Sequence, residues 1–240
     1  MTPASSDLDR VRRAWDRLGR SDPYGAVLSA PGKRGNRWDH DQFFATGRRQ
    51  VEALLQRLDD EGISFRRGRA LDFGCGLGRL TQALAEHFDS VVGVDIAPSM
   101  IEGAERYNRY PGRVTYLLNE APDLRGLEAA SFDFAVSYVT LQHMKPSLAL
   151  GYVAEIVRLL APEGVAVLQA PSRAARTPAG LLTALLPSSL RARLRGMEMH
   201  AISPADFEAE VMAAGASVIR AWRDDATGKR WLSHTYVVRK

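Results

Sequence analysis

Residues Asp72-Phe73-Gly74-Cys75-Gly76-Leu77-Gly78 set glycines at alternate positions behind a carboxylate and directly ahead of Arg79. Such spacing strips side chains from a turn and lets backbone approach a ligand closely. Arg69 to Phe73 reads as a buried strand entering the turn and Leu80 to Ala85 as the start of a helix, so a ligand would lie at the C-terminal edge of a parallel sheet. The run is not the Gly-x-Gly-x-x-Gly that seats a pyrophosphate. Further along, Ser90 to Asp95 is an apolar strand ending in a carboxylate, followed by the helix start Ala97-Pro98. A carboxylate in that place can accept two hydrogen bonds from a ribose diol, which points to a nucleoside without saying which one.

More elements follow in order. Val114 to Leu118 reads as a third strand, ending in the polar turn Asn119-Glu120-Ala121-Pro122-Asp123, and Phe132 to Ser137 as a fourth, ending in Tyr138-Val139-Thr140-Leu141-Gln142-His143-Met144. Leu148 to Leu160 carries apolar residues at helical spacing, and Ala161-Pro162-Glu163-Gly164 reads as a turn into a strand from Val165 to Ala170. Over about residues 69 to 170 this succession resembles the class I S-adenosylmethionine (SAM)-dependent methyltransferases, in particular the small-molecule, type 11/12-like branch.

The resemblance implies an α/β fold: a Rossmann-like, seven-stranded, mostly parallel sheet with an antiparallel last strand, an N-terminal helical cap and an insert after the fifth strand. The whole chain, 1–240, would be one methyltransferase domain. It would comprise a cap over 1–66, a SAM-binding core over 67–170, a substrate-lining insert over 171–202, and a C-terminal helix and β-hairpin over 203–240. The implied cofactor is SAM, leaving as S-adenosylhomocysteine (SAH). Its implied site takes in Asp72, Gly74, Cys75, Gly76, Gly78 and Arg79 from the first turn and Asp95, Ile96 and Met100 from the second. In the family's third turn Glu120 would take the exocyclic amine of adenine and the Ala121 N–H would reach the ring, with Asn119 standing where glycine is more usual. Backbone near Ser137 and Tyr138 would face the amino-acid end of the cofactor and the transferred methyl.

Composition bounds the rest. At 240 residues with 45% hydrophobic content, the chain can bury one substantial core. No apolar run approaches a membrane span and the N-terminus lacks a secretory pattern, so a soluble, cytoplasmic protein without a membrane partner is expected. The lone Cys75 fits the glycine turn as a small packing residue, and no metal cluster is read from the sequence. The formal excess of +4 lies wholly before the glycine turn. Residues 171–197, with Arg173, Arg176, Arg191, Arg193 and Arg195, are locally basic but lack interleaved aromatics, which disfavours nucleic acid. Towards the N-terminus, Leu8 to Leu18 reads as a short helix stopped by Ser21-Asp22-Pro23-Tyr24-Gly25, and Arg48 to Leu58 as a second one. Ser203-Pro204-Ala205-Asp206 reads as a capped helix start, with strands over 216–223 and 231–239 behind it.

For catalysis, a sulfonium already activates the methyl, so positioning dominates and a protein base matters only where the acceptor loses a proton. His143, just past the fourth strand, is the leading candidate base, and His200 could approach from the insert side. The loop Ser137-Tyr138-Val139-Thr140 lacks the proline pair of base-amine methylation, and Cys75 is misplaced for C5 methylation of cytosine. The expected partner is a small-molecule acceptor, a hydroxyl oxygen of a sugar or secondary metabolite. An RNA- or protein-modifying methyltransferase and a non-catalytic SAM-binding partner subunit stay open as alternatives, and the oligomeric state is left unassigned.

Overall fold

The computed structural model describes residues 3–175, 177 and 198–240. The expectations for Arg176, Arg191, Arg193 and Arg195, and for a helix over 178–186 of the insert, lie outside the described residues. The strands are β1 (Arg69–Phe73), β2 (Ser90–Asp95), β3 (Val114–Leu118), β4 (Phe132–Ser137), β5 (Leu160–Ala174), β6 (Ser217–Asp224) and β7 (Trp231–Arg239). They form one seven-stranded sheet in the order β3-β2-β1-β4-β5-β7-β6. β1 with β2 and β2 with β3 are parallel, whereas β7 runs antiparallel to both β5 and β6. Among the described residues no helix is long and apolar enough to cross a membrane.

The chain divides into two compact units. One takes Arg12–Glu120 and Phe132–Phe134, the other Met1–Val11, Ala121–Ser131 and Ala135–Lys240. In the first unit, the helix α1 (Pro3–Ser21) ends its course and is followed by α2 (Pro23–Val27), α3 (His40–Asp60), α4 (Arg79–Leu84) and α5 (Pro98–Arg106). The expected stop at Ser21 to Gly25 does end α1, but the same residues start α2. Asp22 accepts a hydrogen bond from Gly25 N at 3.1 Å, and Pro23 takes the first helical position, where its missing N–H costs nothing. Helix α3 likewise starts eight residues before the expected Arg48, because Asp39 caps it by accepting from Gln42 N at 2.9 Å.

Helix α3 buries Phe43, Phe44, Gly47, Val51, Leu54, Leu55 and Leu58, the spacing of a single helical face. Gly47 lies where that face meets α4: a Cβ there would run into the backbone carbonyl of Arg79. Backbone cannot step aside as a flexible side chain does. Gly47→Ala is therefore expected to lower the free energy of unfolding by about 2 kcal/mol, read from urea denaturation, even though alanine is the better helix former.

The second unit carries α6 (Pro146–Leu159), β5, α7 (Pro204–Ala213) and the β6–β7 hairpin. Ser203 caps α7 as its sequence indicates, accepting from Asp206 N at 3.1 Å. The expected turn at Ala161 to Gly164 instead belongs to β5, which begins at Leu160. Glu163 takes φ 62° there, and its N–H reaches Lys240 O while Lys240 N reaches Gly164 O. Pairing with the last residue of the chain turns a loop sequence into strand. Phe207 and Tyr236 stack at 4.0 Å between ring centroids, joining α7 to the face of β7.

Candidate active site

In the first unit, strand register brings Asp72, Gly93 and Tyr116 into one row, since Asp72 pairs with Gly93 and Gly93 with Tyr116. Residues paired across neighbouring strands share a face. Past Asp72 the chain turns back over β2: the N–H groups of Gly74 and Cys75 both donate to Val94 O, at 2.8 and 3.0 Å. Gly74, Gly76 and Gly78 have φ of 80°, 52° and 78°, the left-handed region that glycine adopts freely. The space beside two of them is already filled by protein. A Cβ on Gly76 would meet Val27 of α2, and one on Gly78 would meet the Tyr116 hydroxyl.

Two carboxylates are built into this turn. Asp72, 2% exposed, accepts from Thr81 Oγ1 at 2.6 Å, and burial pushes its carboxyl up to about 6. Asp95 accepts from Gly76 N and from Ala97 N, both at 2.9 Å, so it stitches the glycine turn to the start of α5. Burial raises its pKa as well. Each oxygen of a carboxylate has a second lone pair, so the capacity to take a ribose hydroxyl remains. The chemistry of this donor set decides between ligand classes. A buried and a half-buried carboxylate together would repel a pyrophosphate, whereas a ligand bearing a sulfonium and an ammonium complements them. SAM fits the turn on that ground.

Other expected site residues are placed differently. The Arg79 guanidinium, 7% exposed, turns to α3: Nη2 donates to Gln50 Oε1 at 2.8 Å and Nη1 to Thr46 Oγ1 at 3.4 Å. Met100, 1% exposed, is packed with Phe43, Phe44, Leu77 and Ala97 in a core cluster. Ile96 follows Asp95, half-buried, at the entrance to α5. The Glu120 carboxylate is half-exposed and pairs with Arg12 at 3.3 Å, while Asn119 N donates to Asp95 O at 2.9 Å. Cys75 is buried, which raises its thiol pKa well above the ordinary range and leaves it inert.

In the second unit, Ala121 O accepts from the Tyr152 hydroxyl at 2.5 Å, Ser137 is buried, and the Tyr138 hydroxyl lies 3.4 Å from Thr235 Oγ1. Val139 takes φ 58°, a costly conformation for a β-branched residue, and its N–H donates to Gln169 Oε1 at 3.0 Å. Gln169 is fully buried in β5, and its Nε2 has no hydrogen-bond partner among the described residues. Sequence reasoning passed over Gln169, Val27 and Tyr116. A lone amide inside the apolar run Val165 to Ala170 was the available signal for the first; the other two depend on packing between distant segments.

The two candidate histidines meet around Glu198. His143 Nδ1 lies 2.9 Å from Glu198 O, and His200 Nε2 lies 3.1 Å from Glu198 Oε2. A carbonyl only accepts, so Nδ1 of His143 carries a proton towards Glu198 O, while the Val139 backbone also hydrogen-bonds the ring and Gln142 Nε2 lies 3.2 Å from Nε2. His143 is 6% exposed, and burial pushes its pKa down to about 4. A histidine with a lowered native pKa stabilises the fold fully above its unfolded value near 6.5 and loses that contribution as pH falls through about 4. His143→Gln is therefore expected to flatten the loss of stability between pH 7 and 4, a difference of up to about 3 kcal/mol by urea denaturation.

A seven-stranded sheet with its antiparallel closing hairpin has the fold of the class I SAM-dependent methyltransferases, and the glycine turn holds one buried acid and one half-buried acid. Residues 71–168 match the methyltransferase domain family Methyltransf_11. It is 29% identical over 187 residues to the ubiquinone biosynthesis O-methyltransferase of Xanthomonas axonopodis pv. citri, covering 74% of each chain. The protein of the same description from Xanthomonas campestris pv. campestris is 31% identical over 133 residues, covering 55% of this chain and 54% of that one. Among solved structures, magnesium protoporphyrin IX methyltransferase from Synechocystis with bound SAH superposes with a TM-score of 0.66 at 18% identity, covering 98% of this chain and 100% of the other. The same enzyme with bound SAM gives 0.64 at 16% identity, covering 98% and 97%.

Proposed function

We propose that the chain methylates a hydroxyl oxygen of a small-molecule acceptor, a sugar or secondary metabolite, with His143 as the base. The observation that carries this is the contact of His143 Nδ1 with Glu198 O: a proton kept on Nδ1 leaves Nε2 to accept, which an oxygen acceptor that must lose a proton requires. The O-methyltransferase relatives support the choice of oxygen. In this reading Asp72, Asp95 and the glycine turn hold the cofactor, Glu120 and Ala121 approach its base, and Ser137 and Tyr138 border the amino-acid end. When bound, SAM supplies an activated methyl. The protein's part is to align the acceptor lone pair and exclude water, with the acceptor hydroxyl taking the place of the Gln142 amide at Nε2. His200, whose Nε2 meets the Glu198 carboxylate, is a second candidate for proton handling.

The test is a screen of hydroxyl-, amine- and carboxylate-bearing small molecules for SAH release. Turnover confined to amines or carboxylates would overturn the assignment. With the true acceptor, His143→Gln should lower kcat by about 10²-fold and leave SAH affinity intact. Undiminished kcat would remove His143 as the base.

A further inference from the structure

Residues 28–38, between α2 and α3, form a loop in which Ser29, Lys33, Asn36 and Trp38 are engaged through their side chains. Asp22 accepts from Gly35 N at 2.7 Å and Asn36 N at 3.0 Å, as well as from Gly25 N, and this fixes the loop's return. Asn36 Nδ2 donates to Ser21 O, Ser29 Oγ to Gly25 O, and Trp38 Nε1 to Leu28 O. Lys33 Nζ donates to Gln42 Oε1 at 3.2 Å and lies 5.1 Å from the Trp38 ring centroid. Gly32, Gly35 and Asn36 take left-handed conformations that such a tight path needs. Arg34 and Arg37 are the exceptions. Neither makes a hydrogen bond or ion pair among the described residues, although Arg34 feels the charge of Asp22.

Both arginines are solvent-exposed and border an open surface groove of about 360 Å³, together with Ser29, Ala30, Pro31 and Gly32 and without any carboxylate. The groove is roomy enough for a small molecule to lie along it. Two free guanidinium groups present paired N–H donors matched to carboxylate or phosphate oxygens, and Ala30 and Pro31 offer apolar surface for the body that carries them. The groove starts two residues beyond Val27, the side chain packed on Gly76 of the cofactor turn.

We propose that Arg34 and Arg37 form an anion-binding site for a small molecule bearing a carboxylate or phosphate, and that this molecule is the methyl acceptor. The second half rests on the hydroxyl-methylation reading above. The acidic group is a handle that seats the acceptor beside the cap, away from the carbon-oxygen chemistry.

Binding is measured first, by calorimetric titration of the full-length protein with benzoate, inorganic phosphate and the neutral control benzamide. Benzoate, phosphate or both should bind, benzamide should not, and higher salt should weaken binding. Arg34→Gln with Arg37→Gln should weaken it by about tenfold or more while SAH affinity and melting temperature stay put. Absence of anion binding to the unaltered protein, or unchanged binding in the double variant, overturns the site. A parallel fall in SAH affinity also overturns it, because the arginines would then serve the cofactor's own carboxylate. For the acceptor, hydroxy acids are compared with their neutral amides by SAH release. The acids should have a KM about tenfold lower, an advantage lost in the double variant; equal KM values overturn the acceptor assignment. If no hydroxyl compound is methylated at all, the hydroxyl reading fails and the acceptor half with it, while the titrations still decide the anion site.

Discussion

Asp72→Asn is expected to stabilise the unliganded protein and to weaken SAM binding by roughly 10³-fold, two effects of opposite sign from one atom pair. Burial holds the Asp72 carboxyl at about 6 rather than 3.8. An acid with a raised native pKa favours the fold below its unfolded value, and that contribution is lost as pH rises through about 6. At pH 7 the ionised, buried carboxylate therefore costs up to about 3 kcal/mol, which asparagine removes. The new amide keeps an oxygen for Thr81 Oγ1 but adds an N–H group that costs about 1 kcal/mol if left without a partner. The net gain of about 2 kcal/mol should appear as a rise of about 6 °C in Tm at pH 7 and shrink to nothing near pH 4. The cofactor's positive charge would add to the partial compensation that Arg79 gives Asp72, and breaking a buried charge pair typically costs about 4 kcal/mol. Calorimetry with SAM and thermal melts across pH 4 to 8 check both halves. A variant that is less stable at pH 7, or that binds SAM with unchanged affinity, would sink the account. His143 acts with the opposite sign across an overlapping pH range, so the comparison must be between variant and parent at each pH.

The order of elements from β1 to β5 was legible because each strand end carries its own chemistry: Asp72 before the glycines, Asp95 before a proline, Ser137 before a polar loop. Local signals such as the Ser203 cap were equally plain. Where the reading and the structure part, the cause is an interaction between residues far apart in sequence. Gly164 reads as a turn residue until Lys240 pairs with it. Arg79 sits in the glycine motif, yet Gln50 and Thr46 decide where its guanidinium goes. Met100 follows the second acidic turn as a cofactor contact would, but the cluster around Phe43 claims it. The tautomer of His143 depends on a carbonyl at position 198, far along the chain. Sequence spacing reports what a residue can do, and distant packing selects which of its options is realised.

The second large effect concerns Gly78, where backbone and packing act together and can be separated. Gly78 has φ 78°, so any other L residue pays about 1 to 2 kcal/mol for the left-handed conformation alone. A Cβ would also meet the Tyr116 hydroxyl, at the end of a ring held against Gly93 in the neighbouring strand. Tyr116 cannot retreat through Gly93, and overpacking of this kind costs about 1 to 3 kcal/mol more. Gly78→Ala should thus lose about 4 kcal/mol of stability by urea denaturation, with SAM binding impaired through the displaced turn. Tyr116→Phe alone should be close to neutral, since the hydroxyl is buried without a hydrogen bond of good geometry. Combined with Gly78→Ala it should recover about 2 kcal/mol, the steric part, and leave the conformational part unrepaired. Strict additivity of the two substitutions would mean that Tyr116 does not confine the turn. The glycine would then owe its place to φ alone.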